Sequence, residues 1–144
     1  VTRVVATGTF DLLHPGHLYY LAESRKLGDE LAVIVARDAN VRHKPRPIVP
    51  EEQRLTVVRA LRCVDFARLG DPEDMFRPIE ELRPDIITIG CNQHFDERNL
   101  EAALAARNCG CRVVRIGGFS DTPLCSSRRI VARICTERCG TNGS

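Results

Sequence analysis

The sequence predicts an α/β fold: a Rossmann-like, doubly wound sheet of five parallel strands in a single domain. Three observations carry this reading. Five short apolar runs recur along the chain, each followed by a loop or a helix-patterned segment, as expected of a parallel sheet covered on both faces. Glycines punctuate the ends of these runs, at Gly8, Gly90 and Gly117. The 144 residues suffice for one core, with no repeat, low-complexity stretch or composition shift to divide them.

The elements follow in order. Residues 3–7 form a β-branched run that stops at Gly8. Residues 15–27 carry apolar side chains at 18, 21, 22 and 27, with Pro15 at the start and Gly28 just beyond, the marks of a helix with proline in its first turn and a glycine stop. Residues 31–36 are the second strand, and 37–50, with prolines at 45, 47 and 50, a loop. Residues 51–61 read as a helix opened by two acids. Residues 64–69 are a strand. Residues 73–82 are helical, with Pro78 expected to strain or split the helix. Residues 85–89 are a strand, 96–108 a helix with an alanine-rich face, and 112–116 the fifth strand. Residues 126–138 form the last helix. The domain is thus expected to span 1–139, with 140–144 a flexible tail.

Composition narrows the class. Hydrophobic residues make up 43% and charged residues 28%, which argues against disorder, collagen and coiled coil. No apolar run approaches the roughly 20 residues of a membrane span. The net charge of +2 is too balanced to demand nucleic acid or an anionic membrane as partner. Seven cysteines cannot all pair with one another. The opening VTRVVATG lacks the pattern of a secretion signal, so a reducing cytoplasm is the expected setting. Small buried thiols account for the cysteines. A four-thiolate zinc site from Cys109, Cys111, Cys135 and Cys139 is the alternative.

In a parallel sheet of this kind, ligands bind beyond the carboxyl ends of the strands. That directs attention to the loops at 8–14, 37–50, 90–95 and 117–127. The first holds the strongest signal, Gly8-Thr9-Phe10-Asp11-Leu12-Leu13-His14-Pro15-Gly16-His17. Histidines three apart at a helix start share a face and can reach one ligand. The helix N-terminus offers N–H groups and the positive end of its dipole. Gly16 permits close approach, and Gly8 frees the turn. Thr9 and the backbone of Phe10 complete a phosphate cradle, with the Phe10 and Leu13 side chains read as core.

The other loops supply further candidates. Lys44, Arg46 and Arg54 could clamp a triphosphate and follow its leaving pyrophosphate, or Lys44 and Arg46 could simply be solvated. Asp38 is placed to bind a ribose or orient a base, or to form a turn. Asn92 and Gln93 could read the edge of a base or another heteroaromatic ring with their amides, or cap a turn. Ser126, Ser127 and Arg128 stand where the last helix begins, as a second anion site or, for Ser126, as an N-cap. Cys125, just before that helix start, is expected to favour thiolate and to be redox-sensitive. Tyr19 and Tyr20 are read as exposed or half-buried, with no role.

GTFDLLHPGH is similar to the signature of the HxGH nucleotidyltransferases, whose cytidylyltransferase-like branch carries GTFD-x-x-H-x-G-H. Further matches run along the chain at Ala36-Arg37-Asp38, Ile48-Val49-Pro50-Glu51-Glu52-Gln53-Arg54, Arg83-Pro84-Asp85-Ile86-Ile87 and Pro123-Leu124-Cys125-Ser126-Ser127. The set resembles the archaeal FAD synthases, which move AMP from ATP to FMN. Thr122 stands where that branch is expected to have a cysteine, so no local disulfide is available to Cys125. The resemblance implies a nucleotide-phosphate contact at Ser126–Ser127, an arginine with a catalytic role at Arg54, and a homodimer.

The implied chemistry is attack of an acceptor phosphate on the α-phosphorus of a nucleoside triphosphate, with His14 and His17 donating to α-phosphate oxygens. Catalysis of this kind is mostly positioning and charge stabilisation. A divalent ion, with Mg²⁺ expected, would accompany ATP, and Asp11 is its candidate ligand unless it orients a histidine. Two other readings compete. One is a CTP-dependent cytidylyltransferase acting on glycerol 3-phosphate or a similar phosphorylated alcohol. The other is a nucleotide-binding sensor without turnover.

Overall fold

The computed structural model of the chain describes residues 1–42 and 45–139. Lys44 and the expected tail at 140–144 lie outside the described residues. Five strands, β1 (Arg3–Gly8), β2 (Glu30–Val35), β3 (Phe66–Leu69), β4 (Ile86–Ile89) and β5 (Arg112–Arg115), form one sheet in the order β3-β2-β1-β4-β5. Every neighbouring pair is parallel. The helices are α1 (Pro15–Arg25), α2 (Glu51–Arg59), α3 (Arg77–Leu82), α4 (Glu97–Ala105) and α5 (Ser127–Glu137).

Alternation along the strands sorts the core onto the two faces, because successive side chains point opposite ways. Val4, Ala6, Val33 and Val35 pack with Leu21 of α1 and with Leu55 and Val58 of α2. Val5, Ile34, Ile87 and Ile89 pack on the opposite face with Ile79 of α3 and with Leu100 and Leu104 of α4. The sheet is therefore doubly wound, as expected. No helix among the described residues is long and apolar enough to cross a membrane.

One element differs from expectation. The helix placed at 73–82 begins only at Arg77, with Pro78 in its first turn. Upstream, the Asp71 carboxylate takes the N–H groups of Glu73 and Asp74 at 2.8 and 2.9 Å, holding a turn instead. Proline in a first helical turn forfeits no intrahelical bond, so Pro78 marks a start and not a break.

The sheet order places the switch point between β1 and β4. β1 pairs with β2 all the way to Gly8–Val35, but its register with β4 ends at Ala6–Thr88. Beyond that point the two strands part and open a crevice at their carboxyl ends. Tyr20 fills the base of the fork. Its hydroxyl accepts the Thr7 N–H at 3.2 Å and lies 2.9 Å from the Thr88 carbonyl and 3.0 Å from that of Thr7. Ser24 Oγ extends the network to Thr88 Oγ1 and the Tyr20 carbonyl, both at 2.8 Å. Burial pushes the phenol pKa up to about 12, so it stays a neutral donor. The expectation of an exposed or half-buried Tyr20 without a role is thus corrected: it serves backbone groups that the parting strands leave unpaired. Tyr20→Phe should cost about 1–3 kcal/mol, the usual penalty for orphaned buried polar groups. Equilibrium urea unfolding checks this, and an unchanged midpoint would remove the role.

Candidate active site

The segment between β1 and α1 is shaped by Phe10. Its backbone takes a positive φ of 54° while its side chain is buried. The ring lies edge-on to His17 at 5.3 Å and stacks over Tyr20 at 6.4 Å. It also passes beneath Gly8, where a Cβ would come within 2.7 Å of Phe10 Cζ. The side chain thus anchors the turn in the core, and Gly8 supplies the clearance.

His14 is the N-cap of α1. Its Nδ1 accepts the N–H groups of Gly16 at 3.0 Å and His17 at 3.4 Å. In the neutral ring this acceptor role leaves the proton on Nε2. Partial burial lowers its pKa below the ordinary histidine value, favouring the neutral ring near pH 7. The His14 and His17 rings stack with centroids 3.8 Å apart. The backbone part of the expected cradle needs correction. The N–H groups of Gly16 and His17 are taken by His14, and those of His17 and Leu18 also turn to its carbonyl. At this helix end those amides are turned to His14, and the two half-buried imidazoles stand beside them.

The start of α5 lies against the start of α1. An ideal Cβ on Gly16 would stand 2.7 Å from the Cys125 carbonyl oxygen, and Ser127 Oγ donates to the Leu12 carbonyl at 3.4 Å. Ser126 caps α5, accepting the Arg129 N–H at 3.1 Å. That leaves the first-turn N–H groups of Ser127 and Arg128 without intrahelical partners, as at any helix start. The Arg128 side chain is exposed. Cys125 is buried, and the guanidinium beside its Sγ, at 3.4 Å, belongs to Arg129. Two helix N-termini, each a focus of positive potential, therefore adjoin the stacked histidines and Thr9.

Residues 48 and 49 of the expected loop are held by Asp11 and Arg54. Arg46 is exposed there. Arg54 is not: its side chain is 0% exposed. Its guanidinium donates to the carbonyls of Val49 (2.8 Å), Thr9 (2.7 Å) and Ala36 (2.8 Å) and to Asp38 Oδ1 (2.6 Å). The expected phosphate-facing role for Arg54 is corrected by this burial, because four acceptors already hold the guanidinium. Asp38, expected to meet substrate, spends one oxygen on Arg54 and the other on the Glu51 N–H at 3.4 Å. Asp11, the candidate metal ligand, accepts the N–H groups of Val49 and Ile48, one on each oxygen, at 2.9 and 3.0 Å.

Across the crevice, Asn92 is exposed, while Gln93 turns inward. Gln93 Oε1 accepts the Gly90 N–H at 2.6 Å and Nε2 reaches Thr7 Oγ1 at 3.5 Å, so this amide holds the loop instead of standing free for a base. Arg115, which the sequence did not single out, wraps the same loop. It donates to the carbonyls of Gly90 and Gln93 at 3.0 Å each and to that of Phe95, and it pairs with Glu97 at 2.7 Å. Among the described residues no three His, Cys, Asp or Glu side chains converge on a metal position, which removes the four-thiolate zinc alternative.

The family model described as cytidylyltransferase-like matches residues 5–133, and so takes in the His14–His17 turn and the start of α5. The chain belongs to the cytidylyltransferase-like family. Among curated members it is 68% identical over 136 residues to the FAD synthase of Methanosphaerula palustris, covering 94% of this chain and 89% of that protein. It is 67% identical over 132 residues to the FAD synthase of Methanospirillum hungatei, covering 92% and 85%. Among solved structures, a protein of Thermoplasma volcanium described as a lipopolysaccharide core biosynthesis protein superposes with a TM-score of 0.80 at 46% identity, over 83% of this chain and 98% of that one.

Proposed function

We propose that this member of the family is an FAD synthase that transfers AMP from ATP to FMN. The observation that carries the chemistry is the stacked His14–His17 pair at the start of α1, set against the start of α5. The relatives named FAD synthase, over nearly the whole chain, supply the substrates.

In this reading the FMN phosphate oxygen attacks the α-phosphorus of ATP. The new bond is FMN O–Pα, the broken bond is Pα–O to the β-phosphate, and pyrophosphate leaves. A phosphate monoester is largely ionised near pH 7, so no strong general base is needed. His14 Nε2–H and His17 would donate to the α-phosphate oxygens as negative charge gathers on them. Thr9 and the backbone of Phe10 would line the triphosphate. The helix start at Ser126, Ser127 and Arg128 would take its outer phosphates, and Lys44 and Arg46 would add positive charge for them. Asn92, exposed at the carboxyl end of β4, would read a base or an isoalloxazine edge. Asp11 is occupied by backbone and no acidic cluster stands nearby among the described residues. A divalent ion, Mg²⁺ by expectation, would enter as part of the ATP complex. A cytoplasmic setting and a homodimer belong to the same reading. The seven cysteines, all unpaired, accord with a reducing compartment.

Incubation with ATP, FMN and Mg²⁺ should yield FAD and pyrophosphate, whereas CTP with glycerol 3-phosphate should yield little product. Faster pyrophosphate release from the second pair would replace this reading with a cytidylyltransferase. No release from either pair would leave a nucleotide-binding protein without turnover.

A further inference from the structure

Two side chains that the sequence marks as chemical are instead joined to a single residue. Val49 donates its N–H to Asp11 Oδ1, and its carbonyl accepts from Arg54 Nε. Asp11 follows the β1 strand and Arg54 lies in α2, so the Val49 backbone is gripped from two separate elements. The same two residues bracket the one strained position of the cradle. Phe10 at φ 54° lies between Thr9, whose carbonyl accepts from Arg54, and Asp11, whose carboxylate holds residues 48 and 49. Strained backbone of this kind persists only where its surroundings over-determine it. Arg54 also reaches Ala36, just past β2, and Asp38. Both ends of the 37–50 segment are therefore fastened to the turn that carries Thr9 and leads to the histidines.

We propose that Asp11 and Arg54 are positioning residues. Through the Val49 backbone they hold residues 45–50 in register with the Thr9–His17 turn, so that Arg46 can reach the triphosphate when the histidines meet its α-phosphate. This assignment rests on the adenylyltransferase reading. It gives Asp11 a task other than metal binding and Arg54 a task other than phosphate contact. Direct hold by a carboxylate protects an amide proton, and a misplaced clamp weakens ATP binding before it weakens anything bound elsewhere.

The test uses the full chain, Asp11→Asn and Arg54→Lys. Asparagine keeps the size of aspartate but loses the charge and one acceptor. Lysine keeps the charge of arginine but loses the fork that reaches several carbonyls at once. Hydrogen exchange without substrate should show the Ile48 and Val49 amides of Asp11→Asn exchanging about tenfold faster or more, in keeping with one lost charge-assisted hydrogen bond. Amides of β4 should be unaffected. In the assay, KM for ATP should rise about tenfold in each variant, more than KM for FMN, and the Mg²⁺ concentration for half-maximal rate should stay put. Unchanged protection at Ile48 and Val49, or a shift in Mg²⁺ requirement in place of ATP affinity, would overturn the assignment. If the parent protein makes no FAD, the functional reading fails, while the exchange measurement still decides whether Asp11 holds Val49.

Discussion

His17→Ala should bind nucleotide nearly as well as the parent and lose about 10²–10³ in turnover, the usual cost of one donor aimed at charge that grows in the transition state. The geometry explains the separation of effects. His17 lies in the first turn of α1 with its ring stacked on His14 and edge-on to Phe10. Its orientation is therefore set before any ligand arrives, which is what preorganised stabilisation requires. The triphosphate has other contacts in the proposed site, from the α5 start and from the 37–50 segment, so ground-state binding survives the loss of one imidazole. His14 is a poorer target for the same experiment because it also caps the helix: removing it would orphan the Gly16 and His17 amides. The measurement is single-turnover FAD formation beside nucleotide affinity by calorimetry. A turnover within a factor of a few of the parent would remove His17 from the chemistry.

Where the sequence was legible and where it was not follows from the reach of the forces involved. The runs at 31–36 and 85–89 reveal their strands because burial on both faces of a parallel sheet leaves near-continuous apolar sequence. The HxGH segment is readable because its parts are three residues apart and local helix geometry brings them together. Arg54 shows the opposite case. An arginine two residues after a pair of glutamates at a helix start reads as a cation facing the phosphates, yet the fold buries it completely. Its acceptors at Thr9 and Ala36 are 45 and 18 positions away in sequence. Tyr20 is hidden for the same reason, since the fork it fills exists only once β1 and β4 have paired and parted. Asp11 misleads because a carboxylate beside a phosphate cradle suits a metal as well as it suits two amides, and only the path of residues 48 and 49 decides between them. Burial of polar side chains is a tertiary event, and it is at such groups that local reading stops.

Gly16→Ala should lose about 10²-fold or more in kcat/KM and also unfold more easily than the parent. The position is helical, so the substitution carries no conformational strain, and alanine is the better helix former by about 1 kcal/mol. Helix propensity alone therefore predicts a neutral or slightly favourable change. The site predicts otherwise. The new Cβ would stand 2.7 Å from the Cys125 carbonyl oxygen, and 2.8 and 2.9 Å from Cε1 and Nδ1 of the His14 ring. Real Cβ atoms do not approach backbone so closely, so something must give. If the 117–127 segment moves, the α5 start withdraws from the histidines and the Ser127–Leu12 contact at 3.4 Å opens. If the His14 ring turns away, its Nδ1 leaves the amides it caps and its Nε2–H is aimed elsewhere. Either relaxation separates groups that have to meet one phosphate together, and displacements near 1 Å at such a site cost about two orders of magnitude in rate. Thermal unfolding and steady-state kinetics on the same preparation check both halves. Activity within fivefold of the parent would mean that the close approach of α5 to α1 has no part in catalysis, whereas a large loss in protein still folded at the assay temperature ties the glycine of the motif to that approach.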